Sequence, residues 1–132
     1  MKKGFTIIEL IVITIIISIL ATLGFIQYAK TIERARGMEA RKVLGQLRQA
    51  ETAYYQEYNA YTSDITTLIT NAPTGCTNTH YFNYSAEGTT TADGSGIALR
   101  CTTSGKNPNV DPGYTINVTW SSGAWGGTVG YY

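Results

Sequence analysis

The sequence predicts an α+β protein: one long N-terminal helix, apolar in its first half and amphipathic in its second, packed on a small antiparallel sheet of three to four strands. Three observations predict it. Residues 10–26 carry no charged side chain. Apolar residues then recur at helical spacing among charges as far as Tyr61. From about residue 62 the chain turns to Thr, Ser, Gly, Asn and Tyr, with short β-branched and aromatic runs between turn residues.

The apolar stretch, about 22 residues from Phe5 to Ile26 with Glu9 its one charge, is long enough to cross a hydrocarbon core as a helix. Lys2 and Lys3 precede it, so the positive-inside rule keeps the N-terminus cytoplasmic and sends the remainder outward. A secretory signal peptide would have a shorter apolar region followed by a small-x-small cleavage site. Here Ala21-Thr22-Leu23 offers only Ala21, and the segment runs into a charged helical pattern.

Glu9 does not belong in a plain anchor. A carboxylate within a membrane-length apolar segment is costly unless it is paired or reaches the interface, so it marks a functional position and requires a cation. Cleavage between Gly4 and Phe5 would supply one: the new α-amino group would lie four residues before Glu9, a neighbour at i and i+4. Between two staggered helices, Glu9 of one could equally pair with the amine of the other.

Ile32, Ala35, Val43, Leu47, Ala50, Tyr54, Tyr58 and Tyr61 form the stripe that continues the helix. Glu33, Arg34, Arg36, Glu39, Arg41, Lys42, Arg48, Glu51 and Glu57 surround it; residues 30–42 read as a solvated face, or in a filament as a face of mixed sign that meets neighbouring subunits. No proline occurs before Pro73, so one helix is expected from Phe5 to Asn59, roughly 80 Å long, with Gly37 and Gly45 as its weak points. Ser63 or Asp64 is expected to cap a short helical turn through Leu68 and Ile69. After the Asn71-Ala72-Pro73-Thr74-Gly75 breaker, strands are expected at 81–84, 97–101 and 114–120, with a short fourth near Thr128 to Tyr131. Residues 92–96 and Asp111-Pro112-Gly113 read as turns. The Tyr54/Tyr58/Tyr61 stripe is expected to cover one face of the sheet, tyrosine hydroxyls staying wet.

Cys76 and Cys101 both fall in the polar half. An even count in a segment outside the membrane favours one disulfide, with two buried thiols as the alternative. The formal net charge of +1 is an average. Without residues 1–4, eight basic side chains face nine acidic ones, and the balance is −1. Nothing forms the basic face of a nucleic-acid binder.

Gly4-Phe5-Thr6-Ile7-Ile8-Glu9, ahead of a long Ile/Leu/Val run, resembles the processing motif of type IV pilins and type II secretion pseudopilins. That resemblance covers residues 2–28; for the C-terminal half it is only general. It implies the pilin fold and a leader, residues 1–4, removed after Gly4 by a membrane peptidase that also N-methylates Phe5. It further implies a transmembrane and polymerisation helix over 5–28, an amphipathic continuation over 29–60 and a β-rich globular head over 61–132. Glu9 would be the assembly residue, neutralising the amine of an adjoining subunit. The partners implied are copies of the same chain in a helical filament, the prepilin peptidase/methyltransferase, an inner-membrane assembly platform, and the lipid bilayer before assembly. The implied location is the bacterial inner membrane as a single-pass precursor, then an extracellular filament or the periplasm. Adhesion, motility, secretion and DNA uptake are the uses such filaments suggest.

Two departures stand out: Ile26 replaces the proline, and Ser18 the glycine, that relatives commonly carry. Without proline the helix loses no hydrogen bond there. Gly24 is a weaker breaker, about 1 kcal/mol worse than Ala. Thr14 and Ser18 are expected to bond back to carbonyls one turn earlier.

The remaining constellations point nowhere specific. Asn107-Pro108-Asn109-Val110-Asp111 alternates oxygen side chains as calcium loops do, but has one carboxylate and no distal Glu, so no metal is expected. Asn83-Tyr84-Ser85 and Asn117-Val118-Thr119 are formal glycosylation sequons, read as coincidence. His80 is the single histidine, read as an ordinary surface or strand residue, and no nucleophile motif accompanies it. The Gly123–Gly130 tail lacks the Lys-Ser/Thr of a phosphate loop. No enzyme activity, cofactor or small-molecule partner is expected. The expectation is a filament subunit, with a pseudopilin of a secretion or DNA-uptake system, or a membrane-tethered extracellular binding domain, as alternatives.

Overall fold

The computed structural model describes residues 4–69, 73–77, 79–88, 93–102 and 113–128, the side chains of Ile26 and Ala29 excepted. Helix α1 runs Ile7–Tyr58, unbroken at Gly24, Gly37 and Gly45. A one-turn helix α2 follows at Ile65–Leu68. The strands are β1 Phe82–Glu87, β2 Ser95–Arg100, β3 Thr115–Thr119 and β4 Trp125–Gly127. They form one antiparallel sheet in sequence order, each strand bonded to the next. Contacts divide the chain into two compact units, Met1–Glu33 and Arg34–Tyr132.

In the second unit the sheet packs its inner face on the back half of α1. Rows across the sheet alternate large and small: Tyr84 opposes Ala98, which opposes Ile116, while Ala86 opposes Gly96, which opposes Val118. Gly96 and Ala98 put small residues at the centre of both rows, on β2, and that hollow receives two large side chains. A Cβ on Gly96 would collide with the Trp120 ring and lie 3.0 Å from Leu44 Cδ2. Gly94 likewise leaves room for the indole, whose Cδ1 would lie 2.8 Å from an added Cβ. Helix and indole therefore lie close on the middle strand, and the packed interior forms from Ala40, Leu44, Leu47, Phe82, Tyr84, Ala98, Tyr114, Ile116, Val118 and Trp120.

The helix face that meets the sheet differs from the expected stripe. Gly37, Ala40, Leu44, Leu47 and Glu51 are buried, at steps of three and four. Of the expected stripe only Leu47 is fully buried; Ala35 and Tyr58 are exposed, and Tyr54 is half-buried. The Tyr54 and Tyr58 rings lie tilted against each other, centroids 4.5 Å apart. Tyr61 alone of the expected tyrosine cover packs against the core. The physical reason is the sheet's bulk: opposite Trp120 and Phe82 the helix needs small and medium residues at close approach, and tyrosines would hold it off.

Local chemistry ends each element. Asn59 takes φ 53°, the left-handed conformation that stops α1, and its N–H still bonds Tyr55 O at 2.8 Å. The chain then folds back: Tyr61 stacks on Tyr55 at 4.7 Å, and Thr62 N–H donates to Glu51 Oε2 at 3.2 Å. Asp64, one of the two expected caps, is the N-cap of α2, accepting from Thr66 N at 2.9 Å. Of the expected turn over 92–96, residue 92 lies outside the described residues, and Ser95 and Gly96 already belong to β2. The fourth strand lies earlier than expected, at Trp125–Gly127, where Val118 pairs with Trp125 and Ile116 with Gly127. Residues 129–131 of the expected strand, 71–72 of the breaker and 111–112 of the second turn lie outside the described residues.

Candidate functional site

The N-terminal segment carries the predicted processing and assembly residues. Gly4, Phe5 and Thr6 precede α1 in non-helical conformation and are exposed, Phe5 to 70%. A side chain at Gly4 would meet nothing within 4 Å among the described residues.

Glu9 has a local partner that the sequence reading overlooked. Its Oε2 accepts from Thr6 N at 2.9 Å and from Thr6 Oγ1 at 2.7 Å, while Glu9 N–H donates to Thr6 Oγ1 at 3.3 Å. This is a reciprocal capping box, and the Thr-x-x-Glu spacing before an apolar run was its signal in the sequence. The carboxylate therefore satisfies the Thr6 N–H, and the Thr6 hydroxyl the Glu9 N–H, at the start of α1 in the uncleaved chain. Phe5 and Glu9 also line one shallow depression with Ile8, Val12 and Ile13.

From Leu10 to Phe25 every side chain of α1 is exposed. The helix is long and apolar enough to cross a membrane. Its hydroxyls carry no unmet hydrogen-bonding need: Thr14 Oγ1 donates to Ile11 O at 2.9 Å, Ser18 Oγ to Thr14 O at 2.7 Å and Thr22 Oγ1 to Ser18 O at 2.9 Å. That is the back-bonding expected of Thr14 and Ser18, and it suits an apolar solvent.

In the unit Arg34–Tyr132 the solvated face expected over residues 30–42 is only partly exposed. Glu51, further along α1, is fully buried. Glu39 is half-buried, accepting from Tyr81 N at 3.0 Å. Arg36 lies over the Tyr81 ring at 4.6 Å, and Arg41 over Trp125 at 6.0 Å. Arg34 and Lys42 remain exposed. Burial raises the pKa of Glu51, a shift that the Thr62 N–H bond partly offsets, and its Oε1 has no hydrogen-bond partner. Burial and the neighbouring Glu39 charge raise Tyr84 as well.

Cys76 and Cys101 form a disulfide with Cα atoms 5.6 Å apart. It ties the loop before β1 to the end of β2, where Cys101 N–H already bonds Tyr81 O at 2.9 Å. Buried Arg100 reinforces that end, its Nη1 donating to Tyr81 O at 3.2 Å and Cys101 O at 2.6 Å. His80 is not the surface or strand residue expected. It is buried just ahead of β1, its Nε2 lying 2.6 Å from Gly75 O and its Nδ1 near the Thr77 and Thr79 hydroxyls. Because a carbonyl only accepts, Nε2 carries the proton. The signal was there in Thr77-x-Thr79-His80 beside a half-cystine, a polar cluster able to satisfy a buried imidazole.

Both sequon asparagines lie inside strands. Asn83 Oδ1 accepts from Gly75 N at 2.7 Å, and Asn117 packs beside Gly126. Residues 107–111, weighed as a calcium loop, lie outside the described residues; among those described, no cluster of His, Cys, Asp or Glu could hold a metal. Compared with known protein families, with curated proteins and with solved structures, the chain matches none.

Proposed function

We propose that this chain is the structural subunit of a type IV pilus-like filament, anchored in a membrane as a precursor, cleaved after Gly4, methylated at Phe5 and polymerised through its N-terminal helix. One observation carries the reading: an unbroken apolar helix, exposed on every side from Leu10 to Phe25, begins directly after Gly4-Phe5 and opens on Glu9. Such a surface needs lipid or sister helices around it. The first serves the precursor and the second the filament.

The capping box refines the role of Glu9. In the precursor the carboxylate is spent on Thr6. Removal of residues 1–4 leaves Thr6 second in the mature chain, beside a new ammonium at Phe5. Glu9 then has a cation within one helical turn, its own or that of an adjoining copy, and cleavage switches the residue from capping to pairing.

Mass spectrometry of the mature N-terminus tests this directly. The expected result is N-methylated Phe5 in filaments sheared from cells. An intact Met1 on a surface-exposed, non-filamentous protein would instead favour a membrane-tethered head.

A further inference from the structure

We infer that the unit Arg34–Tyr132 binds a second copy of itself through two different surfaces, a cationic helix face on one copy and a carboxylate-bearing end on the next. The inference deepens the filament reading and rests on it.

The cationic face is a product of folding. Over Arg34–Gln56 the sequence carries five basic and two acidic side chains, Glu39 and Glu51. Glu51 is buried and Glu39 is turned to the Tyr81 N–H. No carboxylate in that stretch is exposed. Arg34, Met38 and Lys42 follow at steps of four, all exposed, on the side of α1 away from the buried line Gly37, Ala40, Leu44, Leu47. Met38, 60% exposed, gives the face an apolar centre between two cations.

The carboxylates gather elsewhere in the same unit. Residues 36–39 lie beside Tyr81, where β1 begins. Arg48 lies at the other end, bonded to Trp120 O and Ser121 O. Trp120 N–H reaches Gly94 O at 2.8 Å, and Ser121 holds Asp93 through Oγ at 2.6 Å. Glu87 closes β1 at this end, opposite Ser95, about 17 Å of strand from Phe82. Glu87 and Asp93 line one open cleft there. Glu57, in the last turn of α1, is exposed as well. Arg48 is the cation of this end among the described residues, and its guanidinium is committed to carbonyls.

Two unlike, complementary surfaces on one compact unit make a heterologous contact, which propagates into an open filament unless rotation closes a ring. Opposite charges supply the steering and the register. The contact would place Arg34 and Lys42 of one copy against Glu57, Glu87 and Asp93 of the next, staggered along the helix direction.

The test uses the full chain in non-ionic detergent, as an equal mixture of 14N- and 15N-labelled protein. A carbodiimide joins a lysine amine to a carboxylate only in direct contact. Mixed-isotope cross-links from Lys42 to Glu57, Glu87 or Asp93 are expected, absent in Lys42→Gln and weakened at about 0.5 M salt. In cells, R34E/K42E and E57K/E87K should each lower filament yield roughly tenfold, and the four changes combined should restore it. Cross-links confined to single copies, or a fourfold swap that fails to restore assembly, would overturn the contact. So would loss of binding to phosphatidylglycerol vesicles by R34E/K42E without rescue by the swap, which would assign the face to lipid. Mixed cross-links without filaments would leave the contact standing and sink the filament reading; filaments of methylated chain without such cross-links would do the reverse.

Discussion

Arg48 and Trp120 join the helix to the sheet: Arg48 Nε donates to Trp120 O at 3.0 Å, and its guanidinium lies where a side chain on Gly123 would stand. Gly123 holds φ 69°, so the β3–β4 turn curls around the cation, with Gly123 N–H on Thr119 O. Charge-assisted bonds to carbonyls contribute about 1.5–3 kcal/mol. Arg48→Met, which keeps the apolar stem, is expected to lower stability by about that amount. Gly123→Ala is expected to cost more, since the new Cβ would lie 2.6 Å from the Arg48 Cζ in a backbone region that disfavours it. Thermal unfolding of the full chain in detergent, followed by near-UV circular dichroism, measures both.

Gly96 is the floor under Trp120. Gly96→Ala is expected to overpack the interior and cost about 1–3 kcal/mol. Trp120→Phe in the same chain should recover part of that loss, because it removes the atoms in conflict. Full additivity of the two changes in unfolding free energy would show that the residues do not meet.

The disulfide closes a loop with a sequence separation of 25. Cys76→Ser with Cys101→Ser should lower stability by about 3–4 kcal/mol in the chain-entropy model. Reductant should produce the same loss in wild type and none in the variant.

Glu51 sets a pH dependence. Burial raises its folded pKa, so the uncharged acid is the form the fold favours. The stability this residue contributes is full below its unfolded value and is lost as pH rises through the folded one. Asp93 runs the other way: bonds from Ser121 Oγ and N hold its pKa low, so its contribution is present above the unfolded value and lost as pH falls through the folded one. Melting temperature should therefore rise as pH falls through the raised folded pKa of Glu51, then fall in stronger acid as Asp93 is protonated. Glu51→Gln should raise it above the folded pKa of Glu51 and converge on wild type below the unfolded value. A lower melting temperature for Glu51→Gln above that folded pKa would show that the ionised carboxylate is the stabilising form.

Thr6 and Glu9 separate capping from assembly. Glu9→Gln keeps an acceptor for the Thr6 N–H but removes the charge; Thr6→Val removes the hydroxyl and keeps the charge. If pairing with an amine is the assembly function, Glu9→Gln should abolish filaments while Thr6→Val retains them. Equal loss in both would reduce Glu9 to a helix cap. Electron microscopy of sheared filaments gives the readout.

Much of this was legible along the chain. Helix α1, the Asp64 cap, three strands and the Cys76–Cys101 pair follow from local patterns: length of apolar run, capping chemistry, alternation, an even cysteine count. Thr6-x-x-Glu9 was equally legible as a capping box, and was obscured because the charge in an apolar run drew the reading toward intermolecular pairing. The phase of the helix was not legible. Hydrophobicity alone favours Tyr54 and Tyr58 as core, and Ile97 and Leu99 over Ala98 and Arg100 on β2, yet Ala98 and Arg100 are buried and Leu99 is 42% exposed.

By itself the sequence determined the elements and the nature of the first segment, because helical spacing, turns and a membrane-length apolar run are properties of neighbouring residues. Only the tertiary structure decided which side of each element turns inward. Close packing selects by volume as well as polarity: Gly96 and Ala98 make the hollow that Leu44 and Trp120 fill. That choice buried Glu51, enclosed Glu39 and left Arg34 and Lys42 facing outward, so the stretch Arg34–Gln56, which carries charges of both signs in sequence, exposes only cationic ones.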